Sequence, residues 1–329
     1  MKKIALLLIV LCALFTVACA KSGEEVVSDS AVADSEEQFT PTRPETEVLL
    51  PGNIENESET STDSLFFRFV RGEEALHFHQ NNHFGFDSYL YDTEKGYNLE
   101  EILDVFHSNY ALEENPKISY ANLDLGDDGV EELAVKFTGM GIYGPGDDSE
   151  LIYIIKEMNG MLELCYHYET WARSEASINH SGYFISGGST SATSHIIQSG
   201  FVDGNGQYHY ICSVESEYDS SNLSWEPTIG SAVAKLAENV GEGEEPFPII
   251  TICFDEIISS EDYENAVRYY TFEPTGTERD DIYRNVFEAE GLTLYEYGEL
   301  MQMIKEKEQR LGITHEMKTD AELSWTSME

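Results

Sequence analysis

Basic residues are scarce. Against 62 Asp and Glu the chain carries 19 Lys and Arg, a formal net charge of −43 over 329 residues. Such a surface repels phosphate backbones and anionic head groups, which argues against nucleic acid as a partner and favours divalent cations and basic proteins. Its plainest effect is solubility. Long apolar runs are also missing: Ile4–Phe15, 12 residues, is too short to span a bilayer comfortably. No Cys-x-x-Cys pair occurs, so zinc and thiol-redox motifs have no support. Besides Cys12 and Cys19 there are only Cys165, Cys212 and Cys253, an odd number that excludes a complete disulfide framework. Each of the three lies in an apolar, strand-like run, which predicts buried thiols and leaves one disulfide open in an oxidising compartment. Gly-x-Ser-x-Gly, His-Glu-x-x-His and Ser-x-x-Lys are absent, and no Gly-Lys-Ser/Thr follows the glycine-rich stretch 139–149, so it is not a P-loop. No long repeat suggests a propeller.

What is present begins with a targeting segment, residues 1–18. Lys2 and Lys3 precede the apolar run, and Thr16-Val-Ala-Cys19 follows it. This resembles a bacterial lipobox, with Thr16 where leucine is usual. The resemblance implies cleavage before Cys19, acylation of that cysteine by palmitate-type chains, and anchoring on the outer face of the plasma membrane. Ala18-Cys-Ala20 also fits a plain secretory site, in which case the chain is released. Residues 19–63 are rich in Ser, Thr, Glu and Pro and poor in apolar side chains, a composition expected of a disordered tether.

With 41% hydrophobic and 12% aromatic residues, the chain has enough apolar surface for a real core. The fold expected is α+β over residues 64–312: an antiparallel meander at about 118–218 with helices before and after it, then a frayed polar tail, 313–329. Leu65, Phe66, Phe69 and Val70 recur at helical spacing behind Asp63 and Ser64 as candidate caps. Glu74–His79 reads as a short strand that puts His77 and His79 on one face near His83. That is a conceivable metal cluster, although histidines facing solvent explain it as well. Asn98-Leu-Glu-Glu101 is a capping box for a helix whose face is Leu99, Ile102, Leu103, Phe106 and Tyr110. Hairpin turns are expected at Asn159-Gly160, Ser181-Gly182 and Asp203–Gly206. Later segments predict helices at 231–240, 260–270 and 279–289 and a strand at 248–254. A second capping box, Thr293–Glu296, opens a helix that stops at Gly312.

The most specific motif is Asp124-Leu-Gly-Asp-Asp-Gly-Val-Glu-Glu-Leu133. Leu133, Val135 and Phe137 alternate with Glu132, Ala134 and Lys136, the period of a half-buried strand, and Asp128-Gly129 marks a hairpin turn. The oxygen spacing approaches that of a calcium loop, with Asp124, Asp128, Glu132, the Val130 carbonyl and Asp127 as candidate ligands. Gly126 stands at a usual ligand position, and an ion-free acidic turn is the other reading. The stretch resembles the loop of FG-GAP-type β-repeats. More closely still, with Tyr120-Ala-Asn-Leu-Asp124, it resembles a hairpin of acidic lipoproteins from Gram-positive gut bacteria. Trp171–Glu175 and Gly187–Ser191 also look like features of that group. The resemblance implies a surface lipoprotein with no assigned activity.

His167, His180, His195 and His209 all fall in the meander among serines and acids. With 62 carboxylates and 9 histidines in the chain, nucleophile–base pairs arise by chance. The chain therefore reads as a non-catalytic surface module. Tyr143, Trp171 and Trp225 are available to stack on a cell-wall or host glycan, or are sheet core, and a basic protein is the other partner its charge suits. The alternative is a surface hydrolase acting on glycan or cell wall.

Overall fold

Chain order and spatial order coincide through the middle of the molecule because short antiparallel turns join each strand to the next. The computed structural model describes residues 64–78, 90–110, 116–142, 144, 146, 149–170, 174–189, 191–218, 223, 229–239, 248–257 and 260–328, all inside one contact unit, Ser58–Glu329. The leader, Cys19 and the segment to residue 63 lie outside the described residues, as do His79, His83, Tyr143, Trp171 and Trp225.

Helix α1 (Leu65–Val70) is capped by Ser64, and strands β1 (Leu76–His77) and β2 (Gly96–Tyr97) precede helix α2 (Leu99–Asn109). Asn98 and Glu101 form the expected reciprocal capping box on α2. Strands β3 (Lys117–Leu123), β4 (Glu132–Thr138), β5 (Glu150–Met158) and β6 (Met161–Glu169) form one meander. A second meander follows: β7 (Ser174–Ile178), β8 (Tyr183–Ser189), β9 (Ser194–Val202) and β10 (Tyr208–Glu217). The chain ends with α3 (Gly230–Asn239), β11 (Ile249–Cys253), α4 (Ser260–Asn265), β12 (Arg268–Thr271), α5 (Glu278–Ala289), α6 (Tyr297–Arg310), α7 (His315–Lys318) and β13 (Thr326–Ser327).

The fold class is α+β, and the eight meander strands divide between two sheets. The first sheet runs β13-β3-β4-β5-β6-β1-β2 and the second β12-β11-β10-β9-β8-β7. Among the described residues, every pairing between named strands is antiparallel except β1 with β6. One face of the first sheet, with Leu133, Val135, Phe137 and Tyr153, packs on Phe69, Ile102 and Phe106 of α1 and α2. Its other face, with Ala134, Ile152 and Ile154, packs on Ile178, Phe184, Val202 and Tyr208 of the second sheet. The far face of the second sheet, with Ile211, Ile250 and Ile252, packs on Leu300 and Ile304 of α6. A fourth cluster joins α3 and α5 to Ile249 and Tyr270. The order is thus helices, sheet, sheet, helices.

Four expectations need correction. Strand β4 is buried on both faces, not half-buried, because the second sheet covers the side that carries Glu132 and Ala134. The segment 260–270 is a six-residue helix followed by β12, because Tyr269 and Tyr270 pair with Ile252 and Thr251 instead of continuing the helix. The Thr293–Glu296 capping box does not form. Leu294 bridges Tyr270, Tyr295 N–H donates to the Tyr270 carbonyl, and α6 starts at Tyr297 with no side-chain cap. Residues 313–328 are not a frayed tail: Ile313 and Met317 enter the core, and β13 pairs with β3.

Candidate functional site: the end where the hairpin turns meet

Alternating strand direction places the β3–β4 and β5–β6 turns at one end of the first sheet, and the β7–β8 and β9–β10 turns of the second sheet meet the acidic turn there. Asp124 N–H donates to the His180 carbonyl (2.8 Å) and Gly126 N–H to the Ser181 carbonyl (3.0 Å). These bonds join the two sheets through backbone alone. Gly126 has φ +77, and a Cβ there would lie 2.7 Å from Gly204 N, so only glycine admits the second turn so closely. Gly182 is held as tightly: a Cβ would lie 2.4 Å from the Val202 carbonyl oxygen.

The acidic residues at this end chiefly organise backbone. Asp124 Oδ1 accepts from Asp128 N–H (2.8 Å) and Gly129 N–H (3.0 Å), and Oδ2 accepts from Gly129 N–H (3.0 Å). Asp128 Oδ1 accepts from Val130 N–H (2.9 Å). Asp127 is exposed with φ 55, and the Val130 side chain protrudes at the tip. Glu132 is fully buried: Oε2 accepts from Leu125 N–H (2.8 Å) and Oε1 pairs with the Lys156 ammonium. Burial pushes the Glu132 carboxyl up, and Lys156 and Leu125 oppose that shift.

Of the ligands expected for calcium, then, Asp124 and Asp128 share one turn, and Glu132 already holds a cation, its own lysine. An ion bound by all three carboxylates would have to displace Lys156 and several N–H donors. Among the described residues, no group of three or more His, Cys, Asp or Glu side chains is arranged to hold a metal.

The neighbouring turns repeat the pattern. Asp203 Oδ1 accepts from Asn205 and Gln207 N–H (2.9 and 3.0 Å), and Oδ2 bonds His209 Nε2 (2.8 Å). Burial raises the Asp203 carboxyl, but His209 and the two N–H donors outweigh it and hold the group below the usual carboxylate range. Asp320 accepts Ser181 Oγ–H, with His180 Nδ1 3.6 Å away, and that hydroxyl holds its carboxyl low.

The four meander histidines do not form one site. His180 and His209 brace turns. His167 lies edge-on to Tyr153, 6.2 Å between ring centroids, and burial pushes it down to about 4, so it is neutral at pH 7. His195 is opposite Ser189 across the β8–β9 ladder, with Nδ1 2.8 Å from Oγ, and the Tyr218 ring is packed edge-on, 5.9 Å away. Ser189 and His195 thus form a nucleophile–base contact. His77 sits on β1 opposite Gly96.

Glu308 and Asn179 are among the buried polar groups that sequence reasoning missed. Glu308 lies on the apolar phase of α6 after Leu300 and Ile304, and accepts from Tyr183 Oη (3.1 Å) and Lys318 Nζ (2.6 Å). Asn179 is buried with Oδ1 on Tyr183 N–H (2.9 Å) and Nδ2 on the Met317 carbonyl (2.6 Å). The i, i+4 spacing from Leu300 was a readable signal for Glu308. Asn179 gave none. The three free cysteines are buried, as their apolar runs require.

No known protein family, curated protein or solved structure matches this chain.

Proposed function

We propose that the chain is an extracytoplasmic lipoprotein, acylated at Cys19, tethered through residues 20–63, and carrying an α+β body that acts as a non-catalytic binding or interaction module. The observation that carries this reading is the run Lys2-Lys3, twelve apolar residues, then Thr16-Val-Ala-Cys19. The body supports it, because its conspicuous acids are used in construction: Asp124, Asp203 and Asp320 close turns, and Glu132 and Glu308 pair with lysines. A net charge of −43 suits a basic protein, and a cell-wall or host glycan is the other partner class. Metabolic labelling with a palmitate analogue tests the anchor. The wild-type chain takes up label and sediments with membranes, and Cys19→Ser loses both. A Cys19→Ser protein that stays membrane-bound overturns the proposal.

Calcium at the acidic turn belongs to the same proposal and rests on the spacing of Asp124, Asp128 and Glu132. Calorimetry with calcium on the wild type and on Asp128→Ala decides it: no heat in the wild type removes the ion from the account.

A surface hydrolase has one contact in its favour, Ser189 Oγ to His195 Nδ1. Hydrolysis of a wall glycan ester that disappears in Ser189→Ala would establish that reading in place of the first.

A further inference from the structure

Six large hydrophobic side chains stand exposed among the described residues, and three of them fall within the segment 257–267: Ile257 (39% exposed), Tyr263 (38%) and Val267 (55%). The others come from separate places: Val130 from the acidic turn, Met161 from the start of β6, and Tyr218 from just after β10. Ile257, Tyr263 and Val267 belong to one corner of the second sheet, where the chain leaves β11, passes through α4 and returns as β12, the outermost strand. Asp255 Oδ2 accepts from Val267 N–H (3.0 Å), which ties the exit from β11 to the entry of β12. The Arg268 guanidinium lies 4.2 Å from the Tyr263 ring centroid and donates to the Tyr263 carbonyl (2.8 Å), which folds α4 against the same entry.

A single exposed apolar side chain is ordinary, but three at one corner present surface that a partner gains by covering. Charge at the rim selects that partner. Residues 255–268 carry Asp255, Glu256, Glu261, Asp262 and Glu264 against one base, Arg268, and that base is turned onto Tyr263. A second copy of the chain, with its own charge of −43, is repelled from such a rim. So are nucleic acid, an anionic lipid surface and the chain's own acid-rich residues 19–63. A basic segment that also presents apolar side chains fits both features. Its Lys and Arg meet the acidic rim, which speeds encounter, and its apolar side chains cover Ile257, Tyr263 and Val267, which slows release.

We propose that this corner is the docking surface for a basic, amphipathic segment of a partner protein. The proposal rests on the basic-protein reading above and gives that partner a place on the body. A synthetic amphipathic peptide of Leu and Lys is the probe, and the same peptide with Ser in place of Leu isolates the effect of charge. Binding to the full-length chain is read by fluorescence anisotropy, and the contact by hydrogen exchange. The Leu/Lys peptide should slow exchange over residues 261–268. Ile257→Ser/Val267→Ser should weaken its binding about tenfold, the loss expected from two part-exposed aliphatic contacts, whereas Val130→Ser should leave it unchanged. Glu261→Lys/Glu264→Lys should also weaken it and flatten its dependence on salt. Equal affinity for the two peptides, or an Ile257→Ser/Val267→Ser chain that binds as well as wild type, overturns the docking surface and leaves a basic partner held by overall charge. Absence of binding by either peptide at low salt overturns the proposal and the basic-partner reading together. The acyl anchor is read separately, by palmitate labelling, and stands or falls on that result.

Discussion

Glu132 and Lys156 set the terms at the residue scale. A carboxylate removed from water needs a partner on each oxygen, and here one is an ammonium and the other a backbone N–H. Removing the lysine leaves a buried charge unpaired, so Lys156→Met should cost about 3–5 kcal/mol in urea unfolding. The Glu132→Gln/Lys156→Met double variant should recover most of that loss. The Lys156→Met deficit should also shrink as pH falls. Its folded state takes up a proton on Glu132 more readily than the unfolded chain does, so lowering the pH favours the folded form. His167 runs the other way. Its folded value, about 4, lies below the 6.5 of a free imidazole, so the unfolded chain binds more protons between those values. The stability that His167 contributes is present above about pH 6.5 and is lost on descent toward 4. His167→Phe should flatten that part of the stability–pH curve; an unchanged slope would mean that other groups produce it.

Turns decide the element scale. The acidic stretch reads as a hairpin and is one, but its loop has a second task that no local pattern announces: it bonds the β7–β8 turn and touches the β9–β10 turn. Gly126 and Gly129 both have positive φ, at +77 and +82, yet a Cβ on Gly129 meets nothing within 4 Å. Gly129→Ala should therefore cost only the left-handed strain, about 1–2 kcal/mol. Gly126→Ala adds a clash with the Gly204 backbone and should cost clearly more, read as a lower Tm and weaker protection of the β7–β8 turn. Equal costs would mean that the turns are not packed together. Asn98 marks an element set locally. Its side chain and that of Glu101 satisfy each other's backbone N–H, and Asn98→Ala should cost about 1 kcal/mol.

For the whole molecule, charge works against compactness. At −43, repulsion among surface carboxylates opposes folding, and mobile ions screen it. Raising sodium chloride from about 0.01 to 0.3 M should raise Tm, whereas a protein held mainly by exposed ion pairs would lose stability over the same range. The four layers explain how the body tolerates this charge. Both faces of each sheet carry apolar clusters, and the buried acids Glu132 and Glu308 are each paired with a lysine.

The sequence alone determined the local features: the α+β class, the hairpin turns, the Asn98 cap and the burial of the three thiols. Each depends on neighbours a few residues apart, where glycine, capping side chains and apolar period act directly. Tertiary structure decided what depends on distant partners. Ala134 and Glu132 looked outward until a second sheet covered them. Residues 268–271 became a strand because β11 offered a ladder, and Thr293–Glu296 gave up its helix cap to bond Tyr270. Thr326 and Ser327 became a strand because β3 offered them an edge to pair with. Side-chain spacing encodes propensity, but an unpaired strand edge or a buried carboxylate comes into being only when remote segments meet, and that meeting made the expected calcium ligand Glu132 the partner of Lys156.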